Sequence, residues 1–133
     1  MSATAIDLLD AFRSHVDQFE LPELYSVHVI VAAGEPSVNA HLAAHHPLQI
    51  ATGLLAWADT LTHVTTEAWR VPSGDSVHLS VIGQLAEGVT IRVYGGLPLT
   101  EHGPGADLAC DTSVTVPLAV LRHLATLGEV TLG

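Results

Sequence analysis

His41, His45 and His46 stand as H-x3-H-H. A four-residue step sets two imidazoles on one side of a helix or of a strand, which is how divalent metals are gripped. The fit is partial. No Glu lies beside His41 or between it and His45, so the zinc-protease pattern H-E-x-x-H is absent. The run also crosses an expected strand-to-helix junction, and His46 before Pro47 reads as readily as a helix start. His102 and Cys110 add two potential ligands in a Gly- and Pro-rich stretch, too few for a site. Cys110, the one cysteine, reads as a small buried side chain rather than a nucleophile. No G-x-S-x-G elbow occurs, and Ser73 and Ser76 flank Gly74-Asp75 as ordinary turn punctuation. A phosphate-binding loop ending in Gly-Lys is impossible in a chain without lysine. The sequence implies no cofactor and names no catalytic residue.

Charge narrows the partners. Fourteen acidic residues face four arginines (Arg13, Arg70, Arg92, Arg122), for a net charge of -10. Such a chain repels phosphate backbones, so direct nucleic-acid binding is not expected. The acids are spread along the sequence, which favours solubility over a surface that mimics DNA. Nine histidines could offset much of the charge at mildly acidic pH. The beginning, MSATAIDLLDAF, lacks the basic start of a secretory signal, no apolar run is long enough to span a membrane, and one cysteine forbids an internal disulfide. The expectation is a cytoplasmic protein, with residues 1–133 forming a single domain whose 48% hydrophobic content supplies a core.

The elements that must position these residues follow from periodicity. Ile6, Leu9, Phe12, Val16 and Phe19 recur at helical steps and predict a helix over 5–19, with Thr4 and Asp7 as its capping box. Alternation predicts strands at 24–32 and 37–43 around the Gly34-Glu35-Pro36 turn. Pro47 opens a largely apolar helix to about residue 62. Strands at 64–71, 76–83 and 89–95 follow as a meander, separated by Pro72-Ser73-Gly74-Asp75 and Glu87-Gly88. Residues 96–109 read as a long loop, Thr115 as the cap of a helix over 116–127, and Val130 and Leu132 as a short extra strand. The fold class is therefore α+β, in the order α-β-β-α-β-β-β-α. About five strands form a mainly antiparallel sheet, and about three helices pack on one of its faces.

Strand parity then decides what the uncovered face carries. Keeping Val29 and Val31 with Val38 and Ala40 sets His28 opposite His41. Keeping Trp69 and Val71 with Val77, Leu79 and Val81 sets Arg70 outside, near His78. Keeping Leu79 and Val81 with Ile91 and Val93 makes His78 a neighbour of Tyr94, and Ser80 a neighbour of Arg92. The ligand- or partner-binding candidates are thus His28, His41, Arg70, His78, Arg92 and Tyr94. In an acidic chain they would form a neutral or basic island suited to an anionic ligand or an acidic surface. The competing reading is that they are merely the polar side of an amphipathic sheet.

The segments LLDAFRSHV (8–16), LLAWADTLTHV (54–64), EAWRVPSGDSVHLSV (67–81) and IRVYGGLP (91–98) resemble those of short proteins from actinobacterial genomes and their integrated or phage-derived elements. The resemblance implies an accessory role and carries no activity or site residue with it.

The reading that follows is a small, acidic, non-enzymatic binding or regulatory protein that acts through an unknown protein partner or by self-association, without a membrane and with a homodimer as the simplest assembly. Two other classes stay open. One is a small-molecule-binding protein or an enzyme of unknown reaction, which needs a concave pocket with convergent polar groups and titratably perturbed histidines. The other is an acidic mimic that inhibits a nucleic-acid-binding protein, which needs clustered carboxylates.

Overall fold

A computed structural model describes residues 4–32, 35–44, 46–86, 88–100 and 105–132. The chain is α+β, with three helices and a six-stranded mixed sheet. Helix α1 (Ala5–Gln18) precedes the hairpin β1 (Leu24–Ala32) and β2 (Glu35–Leu42). Helix α2 (Pro47–Ala58) leads into the meander β3 (Thr62–Arg70), β4 (Ser76–Ala86) and β5 (Val89–Pro98). A short strand β6 (Thr112–Thr115) and helix α3 (Leu118–Leu132) close the order. The sheet order is β1-β2-β5-β4-β3-β6.

Three features differ from the expectation in detail. The β2–β5 pairing is parallel, with Val38 beside Ile91 and Ala40 beside Val93, and it joins the hairpin to the meander. The connecting α2 makes this geometry available, because parallel neighbours need a long crossover. A sixth strand, β6, pairs antiparallel with β3 where no strand was expected, so Thr115 faces Glu67 in a ladder instead of capping a helix. Val130 and Leu132, expected as a short strand, belong to α3.

Local signals explain most boundaries. Thr4 and Asp7 close a capping box, with Thr4 N donating to Asp7 Oδ2 at 3.0 Å and Asp7 N donating to Thr4 Oγ1 at 3.2 Å. Hydrogen bonding from Thr4, its backbone N–H first, holds the Asp7 carboxyl below its ordinary pKa. His46 caps α2 by accepting the Leu48 N–H on Nδ1 at 3.2 Å, and Pro47 takes the first turn. Gly74 sits at φ +79 in the β3–β4 turn, a conformation that costs glycine nothing.

One face of the sheet carries the core. Val38, Ala40 and Leu42 of β2, Ala68 of β3, Val77, Leu79 and Val81 of β4, and Ile91 and Val93 of β5 are buried together with Leu8, Ile50, Leu54, Trp57 and Leu121 from the three helices. The apolar alternation of each strand is thereby spent on the helical side. The odd-numbered and even-numbered partners between these positions face the other way.

Among the described residues, no helix is long and apolar enough to cross a membrane.

Candidate binding trough on the outer sheet face

The face turned away from the helices forms an open cavity of about 510 Å³. Its lining draws on every strand: His28 of β1, Asn39 of β2, Arg92 and Tyr94 of β5, His78 and Ser80 of β4, Glu67 and Trp69 of β3, and Ser113 of β6. At the usual inter-strand spacing, a trough from β1 to β6 is roughly 24 Å long.

Register places these side chains in rows. His28, Asn39 and Arg92 lie side by side across β1, β2 and β5. His41, Tyr94, Ser80 and Glu67 make the next row, and His78 faces Trp69 in the row beyond. Rings dominate the middle of the face. Tyr94 stands between two nearly parallel imidazoles, with centroids 4.6 Å from His41 and 5.5 Å from His78. His78 meets Trp69 edge-on at 5.2 Å, and His41 meets Tyr25 edge-on at 5.5 Å. Tyr25 reaches the row because the β1 register shifts between Leu24 and Ser26. The result is a chain of five rings running across five strands. The Trp69 indole is fixed by donating Nε1–H to Asp111 Oδ1 at 3.2 Å.

Beside the rings lies one ion pair. Arg92 Nη1 donates to Glu67 Oε1 and to Ser80 Oγ, both at 3.3 Å. Arg92 is the one arginine of the four on this face, and Glu67 balances it. His78 titrates below the ordinary imidazole value, first because burial penalises the cation and second because His41 repels it. At neutral pH, therefore, His78 adds no charge, and the Arg92–Glu67 pair cancels.

Four of the six residues named from sequence line this trough: His28, His78, Arg92 and Tyr94. His41 stands just behind Tyr94, outside the lining. Arg70 is on the opposite face. It pairs with Val77, two positions along from the buried Ala68, so Trp69 takes the outer position that parity had given to Arg70. Its guanidinium ties the β3–β4 turn to the segment before β6, donating Nε–H to Gly74 O at 3.1 Å and Nη1–H to Leu108 O at 2.7 Å. The hairpin registers also differ in detail. His28 faces Asn39 rather than His41, and Tyr94 faces Ser80 rather than His78. Each is a slip of two residues, which preserves the face. The expected proximities of His78 to Tyr94 and of Ser80 to Arg92 therefore survive as diagonal contacts.

Asn39, Glu67, Trp69, Ser80 and Ser113 are the lining residues that sequence reasoning did not name as a site. Correct parity in β3 would have delivered Glu67 and Trp69 together.

The sequence assigned no metal, with His41, His45 and His46 as weak candidates. His41 is in β2, His46 is occupied as the α2 cap, and His45 lies outside the described residues, as does His102. No group of three His, Cys, Asp or Glu side chains close enough to hold a metal occurs among the described residues. Cys110 is exposed, contrary to the expectation of a small buried thiol, and its Sγ packs against Gly74.

No family model, curated protein or solved structure matches the chain.

Proposed function

We propose that this chain is a small-molecule-binding protein whose ligand lies in the outer trough. The observation that carries the reading is the convergence of Trp69, Tyr94 and His78 with the Arg92–Glu67–Ser80 cluster in one cavity of about 510 Å³. Ligand sites of this size pair ring surfaces with a few placed polar groups. A histidine displaced from its ordinary titration range in that cavity adds to the case. The reading is one of binding, and one trough hydroxyl, Ser80 Oγ, fits it: it is held by Arg92, which cannot act as its base.

The test is a fragment screen read by protein NMR, on the natural chain and on Ser113→Trp. Ser113 is exposed at the trough's edge, so the indole fills the cavity without disturbing the core. Binding fragments should shift the Trp69 indole and the His28 and His78 imidazoles, and Ser113→Trp should lose those shifts. Fragments that bind only elsewhere, or none that move these signals, would refute the reading.

A second reading, action through a second copy or another protein, has its own observation. The outer side of α1 exposes Ile6 (68%) and Leu9 (47%) beside Phe12 and Val16 in a groove of about 480 Å³ that Asp10, Arg13 and Asp17 also line. Sedimentation of the natural chain against Ile6→Ser/Leu9→Ser tests the second-copy form of it: a dimer that becomes monomeric supports self-association, and a monomer in both cases removes self-association.

A further inference from the structure

Resting on the reading of the trough as a ligand site, we infer that its ligand is an elongated, uncharged, hydroxyl-rich molecule of the saccharide class. Shape comes first. The lining crosses all six strands, so the site is a long open channel rather than a hole for one compact group. Charge comes second. The chain carries a net charge of -10, and the one arginine on this face already shares Nη1 with a carboxylate. A polyanion would meet Glu67 inside the site and the negative charge of the whole chain, and a polycation would find Glu67, the one carboxylate among the lining residues, already paired with Arg92.

Donor and acceptor chemistry comes third. Glu67 is acceptor-only and Arg92 is donor-only, and they stand 3.3 Å apart. Two vicinal hydroxyls match such a pair: one gives its proton to the carboxylate, and its neighbour accepts from a guanidinium N–H. Asn39, Ser80, Ser113 and the imidazoles of the lining each offer a donor or an acceptor along the same channel. The C–H face of a sugar ring complements the third ingredient, the Trp69 indole, while the Tyr94 ring, stacked between His41 and His78, offers its hydroxyl. A peptide is a poorer match. Extended peptides satisfy their amides on a sheet edge, through backbone groups, whereas this lining consists of side chains on a sheet face.

The experiment titrates the full chain with maltotriose, cellotriose and chitotriose, and in parallel with benzoate, inorganic phosphate and a neutral tripeptide. The readout is the NMR signals of the Trp69 indole and the His28 and His78 imidazoles. At least one saccharide is expected to shift them saturably, with affinity falling at least tenfold in Glu67→Gln and in Asn39→Ala; both variants are first checked for native spectra. Two variants on different strands of the trough, β3 and β2, keep the test valid if one of them fails to fold. If benzoate, phosphate or the tripeptide shifts these signals and the saccharides do not, the saccharide class is wrong and the trough stands. If none of the probes moves them and the fragment screen also leaves them unmoved, the trough reading falls with it.

Discussion

The ring of Tyr94 lies 19° from the plane of the His78 imidazole, with 5.5 Å between their centroids, and His41 covers the opposite face of Tyr94 at 4.6 Å. Two imidazoles are thus held on either side of one phenol ring. Protonating both sets like charges against each other across a partly buried site. Burial is the larger cause of the lowered His78 pKa and the charge on His41 the smaller. In an NMR titration, His78 is expected to titrate below 6.5, its unperturbed value. His41→Gln should raise the His78 value part of the way back, because burial persists. A His78 that titrates at or above the ordinary value, or one that ignores His41→Gln, would contradict the stacked arrangement.

His15 makes a second, independent titration. Thr60 gives its only hydroxyl proton to Trp57 O at 2.8 Å, so its oxygen must accept from His15 Nε2, 2.7 Å away. The imidazole also stacks on Trp57 with centroids 5.7 Å apart, and it is 7% exposed. Burial lowers its pKa from 6.5. The sign follows: the unfolded chain binds this proton at a higher pH than the folded one, so stability is lost as pH falls from about 6.5 towards the folded value. Chemical denaturation at neutral and mildly acidic pH should show that loss, and His15→Gln should reduce the difference between the two conditions. An unchanged difference would remove His15 from the acid response.

The same pair predicts a mutational effect at fixed pH. Thr60→Val keeps the shape but takes away the acceptor, leaving the His15 N–H buried and unmatched. The expected cost is about 1–3 kcal/mol at neutral pH, read from the urea midpoint. Thr60→Ser keeps the hydroxyl and should recover most of it.

Sequence alone reached the α+β class, the capping box at Thr4 and Asp7, the Pro47 helix start and four of the nine trough residues. It succeeded where the signal was alternation against a buried face, because a slip of two residues still leaves His28, His78 and Tyr94 outside. It failed at β3, where the guide was the apolarity of Trp69. An indole is amphipathic, and here it lines the outer trough while its N–H reaches Asp111. The turn carried the better signal. Val71 N donates to Ser76 O at 3.1 Å, so Pro72-Ser73-Gly74-Asp75 is a four-residue connection that forces Trp69 opposite His78. Strand β6 was missed because Thr112–Thr115 is exposed throughout and offers no alternation, though its threonines and valine suit a strand. The parallel β2–β5 contact joins segments far apart in sequence, and no local pattern encodes it.

The inward turn of Arg70 gives that lesson a measurable form. Its two hydrogen bonds, to Gly74 O and Leu108 O, link the hairpin to the approach to β6. Arg70→Ala is expected to cost about 1.5–3 kcal/mol, the range for a hydrogen bond from a charged group. Amide exchange at Leu108 and Asp111 should accelerate, since Asp111 N donates to Arg70 O at 2.8 Å on the same strand end. The His28 and Tyr94 signals across the sheet should stay in place. Shifts at those two residues without faster exchange at Leu108 would return Arg70 to the outer face.

Gly95 tests how closely α2 approaches the sheet. A glycine inside a strand ordinarily weakens it, so alanine there should stabilise the protein if the space were open. A Cβ at this position would instead lie 2.8 Å from Ile50 Cγ2 and 3.1 Å from Ile50 Cγ1, both on the buried face of α2. Overpacking therefore decides the sign, and Gly95→Ala is expected to destabilise by about 1–3 kcal/mol. Ile50→Ala should also destabilise, through the cavity it leaves. The double variant should lose less than the sum of the two, because the new methyl occupies part of the space vacated by Ile50. Urea midpoints of the four proteins decide the matter. A stabilising Gly95→Ala, or strict additivity with Ile50→Ala, would mean that α2 does not rest on β5 at this point.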